Sequence, residues 1–239
     1  MAFLAVGAPC LAGEPHSGET RVVPRVSAHF RLQTVGPRRS DRLERETVAA
    51  LESWYRHFQI TFEIEPPTPI PVFLFPQHLF FHHSTGAPPW ADGIFDQEAG
   101  IRIATGGISR LEPDLERVLG HELAHAFIAC RSAGHAPRWL HEGLAQMLAR
   151  STGLGHQSAE SSAPAAGTLE TLDYSGSLAF VQDLAAAHGL EALIDVLAAQ
   201  GRGLCVDDAF RLVTGASAAE LFRDWSARSR AALAADKGE

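Results

Sequence analysis

The stretch LERVLGHELAHAFIAC, residues 115–130, is apolar almost all the way round a helical wheel, yet it carries His121, Glu122 and His125. Pro113 suits a first helical turn and Gly134 a stop, so the spacing predicts one buried helix between them. His121 and His125 are four residues apart, which puts both rings on one face, separated by one turn and about 6 Å of rise. Two imidazole nitrogens so placed converge on one metal ion at about 2.0–2.1 Å, the bond length zinc takes to nitrogen. Glu122, one residue along, is offset enough to meet a water on the metal instead of the metal itself. The competing reading is a helix whose histidines are neutral and hydrogen-bonded in the core. The neighbours favour the metal: Leu119, Leu123, Ala126, Phe127 and Ile128 bury the helix, and a carboxylate buried beside two imidazoles is costly without a cation.

Zinc that keeps one position for water needs a third protein ligand. A third histidine in the pattern H-E-x-x-H-x-x-G-x-x-H requires glycine at 128 and histidine at 131, where Ile128 and Arg131 stand. A glutamate from a second helix fits better. Pro137 can start the helix PRWLHEGLAQMLAR, in which Glu142 shares a face with Ala145 and Ala149, small residues that let this helix approach the first. Gly143 removes one more side chain near the expected crossing, a packing reason for a mid-helix glycine that costs about 1 kcal/mol relative to alanine. His135 and His141 are the rival ligands.

Outward from this pair of helices the chain divides in character. Residues 1–27 read as a leader remnant or disordered tail, with 14–27 a polar, Pro- and Gly-broken linker. AHFRLQTV alternates like a strand; Ser40 or Asp41 caps a helix through RLERETVAALESWYRHF; ITFEI, IPVFLF, GIF and GIRIA are short β-rich runs. After Ser109 every segment has helical spacing: SLAFVQDLAAAHG, LEALIDVLAAQG, DDAFRLVTG and SAAELFRDWSARSRAALAA, the last opening on a Ser217/Glu220 capping box. Residues 155–172, rich in Ser, Ala, Gly and Thr, read as a surface loop or lid. The expected class is α+β: a small mixed sheet in the N-terminal half with helices packed on the histidine helix, then a mostly helical C-terminal half.

HELAH followed by RWLHEGLAQ resembles the gluzincin group of zinc metallopeptidases, and the order of elements is similar to the peptidase MA-like domains of bacterial proteins. AHFRLQTV resembles that group's opening strand, GIRIA its strand before the active-site helix, and YSGSLAFVQDLAAAHGLEALIDVL its helices after the third ligand, so the likeness spans about residues 28–230. The resemblance implies a zincin-like fold with one catalytic domain over 28–239, a sheet-containing lobe at 28–134 and a helical lobe at 135–239. It implies one zinc ion per chain on His121, His125 and Glu142, with Glu122 as general base and acid. Where many gluzincins carry an aspartate that orients a zinc-bound histidine, Gln146 stands here; its amide oxygen can accept the imidazole N–H.

The chemistry this implies is peptide-bond hydrolysis: a zinc-bound water, acidified to a pKa near 7, attacks the scissile carbonyl while Glu122 takes its proton and passes it to the leaving amine. Tyr174, at the start of the next helical segment, is the candidate second donor to the oxyanion, with His156 a weaker one. GIRIA at a cleft edge would pair with an extended substrate, and Trp90 would line the cleft. His82 and His83 read as surface residues. The alternative function is a peptidase-fold recognition module that binds zinc with little or no hydrolysis; a metal-free structural protein is the third.

A net charge of −8 argues against nucleic acid or an anionic membrane as the main partner, and the resemblance implies a peptide or protein substrate. No run of 18 apolar residues spans a membrane. If residues 1–13 are the end of a signal peptide the protein is exported to the cell envelope, and otherwise it is cytoplasmic. Three scattered cysteines, Cys10, Cys130 and Cys205, make neither a disulfide framework nor a paired-cysteine zinc motif.

Overall fold

One five-stranded mixed sheet and a larger body of helices make up the fold, an α+β arrangement. A computed structural model of the chain describes residues 23–37, 39–84, 91–150 and 168–236. The strands are β1 (Arg25–Val26), β2 (Phe30–Thr34), β3 (Ile70–Phe75), β4 (Gly93–Asp96) and β5 (Gly100–Ala104). Their order across the sheet is β1-β2-β3-β5-β4. The three central strands β2, β3 and β5 run parallel, and the edges β1 and β4 are antiparallel to their neighbours. Helices α1 (Asp41–Phe62) and α2 (Gln77–His83) fall between the strands. After them come α3 (Pro113–Arg131), α4 (Arg138–Arg150), α5 (Tyr174–His188), α6 (Leu190–Gly201), α7 (Val206–Thr214) and α8 (Ala218–Asp236). Among the described residues no helix is long and apolar enough to cross a membrane.

Helix α1 explains one difference from the sequence reading. ITFEI is not a strand; the helix runs on to Phe62 and stops at Glu63, which takes the left-handed conformation at φ 52°. Phe62 lies four residues after Phe58, so continuing the helix extends the buried stripe, whereas Ile60 is left 79% exposed. Arg25–Val26, read as linker, pairs with β2 as the short edge strand β1. QHLFFHH, given no element in the sequence reading, forms α2, whose last turn carries His82 and His83 on the surface. GIRIA is the interior strand β5, not a cleft edge; the free edge on that side is β4.

Helix α3 is the centre of the packing. Tyr55, Phe58 and Phe62 of α1 surround Phe127 with ring centroids at 5.1, 5.6 and 5.6 Å. Gly120 lies against Trp54, where an added Cβ would come within 2.5 Å of the indole. The helix ends as the sequence predicts: Gly134, at φ 77°, donates its N–H to the Ala129 carbonyl. Behind α4, Trp139, Phe180, Phe210, Phe222 and Trp225 form the aromatic core of the helical half. The α8 start is the expected capping box, with Ser217 and Glu220 bonded reciprocally.

Candidate metal centre

Helices α3 and α4 bring His121, His125 and Glu142 to one point. His121 Nε2 and His125 Nε2 lie 3.1 Å apart, and each is 3.7 Å from Glu142 Oε2. Three ligands at the 2.0–2.1 Å of a tetrahedral zinc stand about 3.3 Å from one another, so this triangle is the size a single ion requires. Glu142 Oε2 is buried and accepts no hydrogen bond among the described residues, an orphaned acceptor pointing at two imidazoles. The donor set therefore fits a divalent cation of zinc's size, although geometry alone does not select zinc.

The far side of the His125 ring is also occupied. His125 Nδ1 lies 2.6 Å from His141 Nδ1. The Ala145 carbonyl on α4 favours the protonated form of the His121 ring, against the larger effect of burial. With its Nδ1–H donating to His141, His125 keeps the Nε2 lone pair facing His121. Burial pushes His121 down to about 4, holds His125 well below its ordinary range with the help of its histidine neighbours, and takes His141 to about 4. All three rings are thus neutral at pH 7, the state in which imidazole binds metal.

Glu122 belongs to the same cavity but not to the ligand triangle. Burial, and then the charge of Glu142, push its carboxyl up to about 8. It packs beneath β4, where a Cβ on Gly93 would meet Glu122 Cγ and Oε1 at 2.8 Å. Ala104 donates to the Asp92 carbonyl, so by antiparallel alternation Ile94 and Asp96 bond to β5 while Gly93 and Phe95 turn their backbone groups outward. The Phe95 N–H, within reach of Glu122, lowers its pKa against the larger effect of burial. The cavity between β4 and the two helices holds about 580 Å³, with Tyr174 on its wall.

Tyr174 opens α5, with Asp173 as its cap; its phenol acts to lower the pKa of the Glu142 carboxyl, and Arg138 lies 5.6 Å from its ring centroid. Burial and the Glu142 charge raise the phenol's pKa, so it stays a donor at neutral pH. Burial raises Glu142 as well, partly offset by Arg138 and Tyr174.

The remaining expectations divide. His135 exchanges hydrogen bonds with Gln200 of α6 and takes no part in the site. His141 meets His125 from behind rather than competing as a ligand. The Gln146 amide does not accept from a histidine; it donates to the Glu142 and Tyr174 carbonyls and ties α4 to the start of α5. Gly143 serves the packing of α5, not the approach to α3: a Cβ there would meet Val181 Cγ2 at 2.4 Å and the Ser177 carbonyl at 2.5 Å. Trp90, His156 and most of the 155–172 loop lie outside the described residues. The sequence reading missed Gly93 and Gly120, whose signal was a glycine inside a strand and a helix where no turn is needed. No family model matches this chain, and no curated protein matches it.

Proposed function

We propose that this chain is a zinc-dependent peptidase of the gluzincin kind, zincin-like in fold, acting on a peptide or protein substrate. One observation carries the reading: two neutral histidines from HELAH and a buried, unpartnered carboxylate oxygen of Glu142 on the next helix face each other at metal-ligand spacing, with Glu122 beside them outside the triangle. When bound by His121, His125 and Glu142, zinc supplies Lewis-acid chemistry, acidifying a water and polarising a carbonyl. Glu122 is the proton carrier: it accepts from the attacking water and donates to the leaving amine. With a cation held by the three ligands, Glu122 would favour the ionised form that proton acceptance requires. Tyr174, a protonated phenol on the cavity wall, donates to the oxygen that gains charge. The outward Gly93 backbone groups and the Phe95 carbonyl on the β4 edge suit pairing with an extended substrate.

Elemental analysis of protein purified without a histidine tag or chelator tests this reading, alongside the His121→Ala and Glu122→Gln variants. One zinc per chain, lost in His121→Ala and kept in Glu122→Gln, with peptide cleavage lost in both, is the expected result. Zinc without cleavage by the unaltered protein would leave a recognition module. A folded protein that takes up no zinc would overturn the proposal.

A further inference from the structure

A second cavity, of about 350 Å³, opens immediately beyond the metal cleft. Phe95, Gln97 and Ala129 border both cavities. Among the described residues no charged side chain lines the second one. Its floor is the face of α3 that follows His125, where Ala126, Ala129 and Cys130 are short enough to leave space. Its opposite wall includes Pro66, Pro67 and Pro71, which contribute no backbone donors. That wall is held firmly, because Gly100 sits so close to Pro71 that an added Cβ would lie 2.2 Å from the Pro71 carbonyl oxygen.

We infer that this cavity is the substrate-selecting pocket, taking an uncharged apolar side chain of the peptide. The inference rests on the peptidase reading for its reaction but on the cavity alone for its ligand. Ala129 lies one turn, about 6 Å, beyond His125 along α3, the reach of about two residues of extended peptide. A chain lying along β4 and leaving the cleft past Gln97 therefore delivers to this pocket a side chain about two positions from the cleaved bond. An aliphatic or aromatic group fits there without losing a partner, whereas a carboxylate or ammonium would be desolvated against prolines and alanines. Cys130, exposed on the pocket's rim, reports occupancy.

The experiment has two arms. In the first, a peptide library is cleaved by the unaltered protein and by Cys130→Trp, whose indole fills the pocket. In the second, the rate at which an uncharged maleimide modifies Cys130 is followed in a Cys10→Ser, Cys205→Ser, Glu122→Gln background, with added peptides that differ only in Phe or Asp at the selected position. We expect at least tenfold preference for Leu, Phe or Met about two residues from the cut. Cys130→Trp should abolish that preference without loss of zinc, and the Phe peptide but not the Asp peptide should slow maleimide modification. Cleavage with no such preference and no protection would overturn the pocket and leave the peptidase standing. Selective protection in a protein that neither binds zinc nor cleaves would keep the pocket as a peptide site and overturn the peptidase. Neither cleavage nor protection would overturn both.

Discussion

His125 and His141 meet edge to edge: their Nδ1 atoms are 2.6 Å apart while the ring centroids are 4.7 Å apart, so the two nitrogens lie nearly on the line between the rings. That line has room for a single proton. For His125 to offer Nε2 to a metal the proton must sit on its Nδ1, with His141 as acceptor. Replacing His141 by Phe removes the acceptor, and zinc affinity should fall about 10–100-fold. Asn, which still offers an acceptor, should recover most of the loss. Competition with a chelator of known affinity reads both variants without reference to catalysis; equal affinity in His141→Phe and the unaltered protein would show that His141 does not hold the tautomer.

Gly93 and Glu122 make the complementary case, a position where the absence of a side chain matters. Gly93→Ala places a methyl 2.8 Å from Glu122 Cγ, Glu122 Oε1 and Val118 Cγ1, so the carboxylate must move. A displacement near 1 Å at a reacting group costs on the order of 100-fold in rate. The expected outcome is a kcat lowered by about that factor with zinc stoichiometry unchanged. Loss of zinc together with activity would instead mean that β4 supports the ligands.

Much of this site is written locally. The HELAH helix, its proline start and glycine stop, and Glu142 on the following helix all depend on residues close in the chain, and they appear where the spacing puts them. What the sequence hid depends on contacts between distant segments. ITFEI is β-branched and aromatic enough to read as strand, but burial of Phe62 beside Phe127 decided for helix. Only the strand order reveals that β4, not β5, borders the cleft. Gly143 was legible as a packing glycine, but its partner, α5, was not, because nothing in a helical wheel tells one neighbouring helix from another. Gln146 likewise had a position in the pattern but no partner until α5 was placed.

Gly143 gives a stability test of that packing. An alanine there gains about 1 kcal/mol of helix propensity. Overpacking against Val181 Cγ2 at 2.4 Å and the Ser177 carbonyl at 2.5 Å should cost about 1–3 kcal/mol, so the net effect is destabilising or close to neutral. Gly143→Ala should lower the urea midpoint. Because α4 carries Glu142, it should weaken zinc binding as well. A clear rise in midpoint would mean that α5 yields freely.

The last prediction concerns a charge outside the candidate site. Glu44 is 1% exposed and accepts from Arg39 Nε and Nη2 at 2.8 Å each and from Thr34 at 2.7 Å. Burial acts to raise its pKa, but these hydrogen bonds together with the charges of Arg39 and Arg25 outweigh it and hold the carboxyl below its ordinary 4.5. A depressed native pKa adds stability that is fully present above the unfolded value and is lost as pH falls through the native one. Glu44→Gln removes the ionisable group and leaves Arg39 without its carboxylate, so at pH 7 it should be less stable by about 1–3 kcal/mol. The gap should hold down to about pH 5 and narrow steadily below the ordinary carboxylate range. Urea unfolding of both proteins from pH 7 to pH 3 measures it, and a gap that stayed constant across that range would mean that the Glu44 charge contributes nothing to the fold.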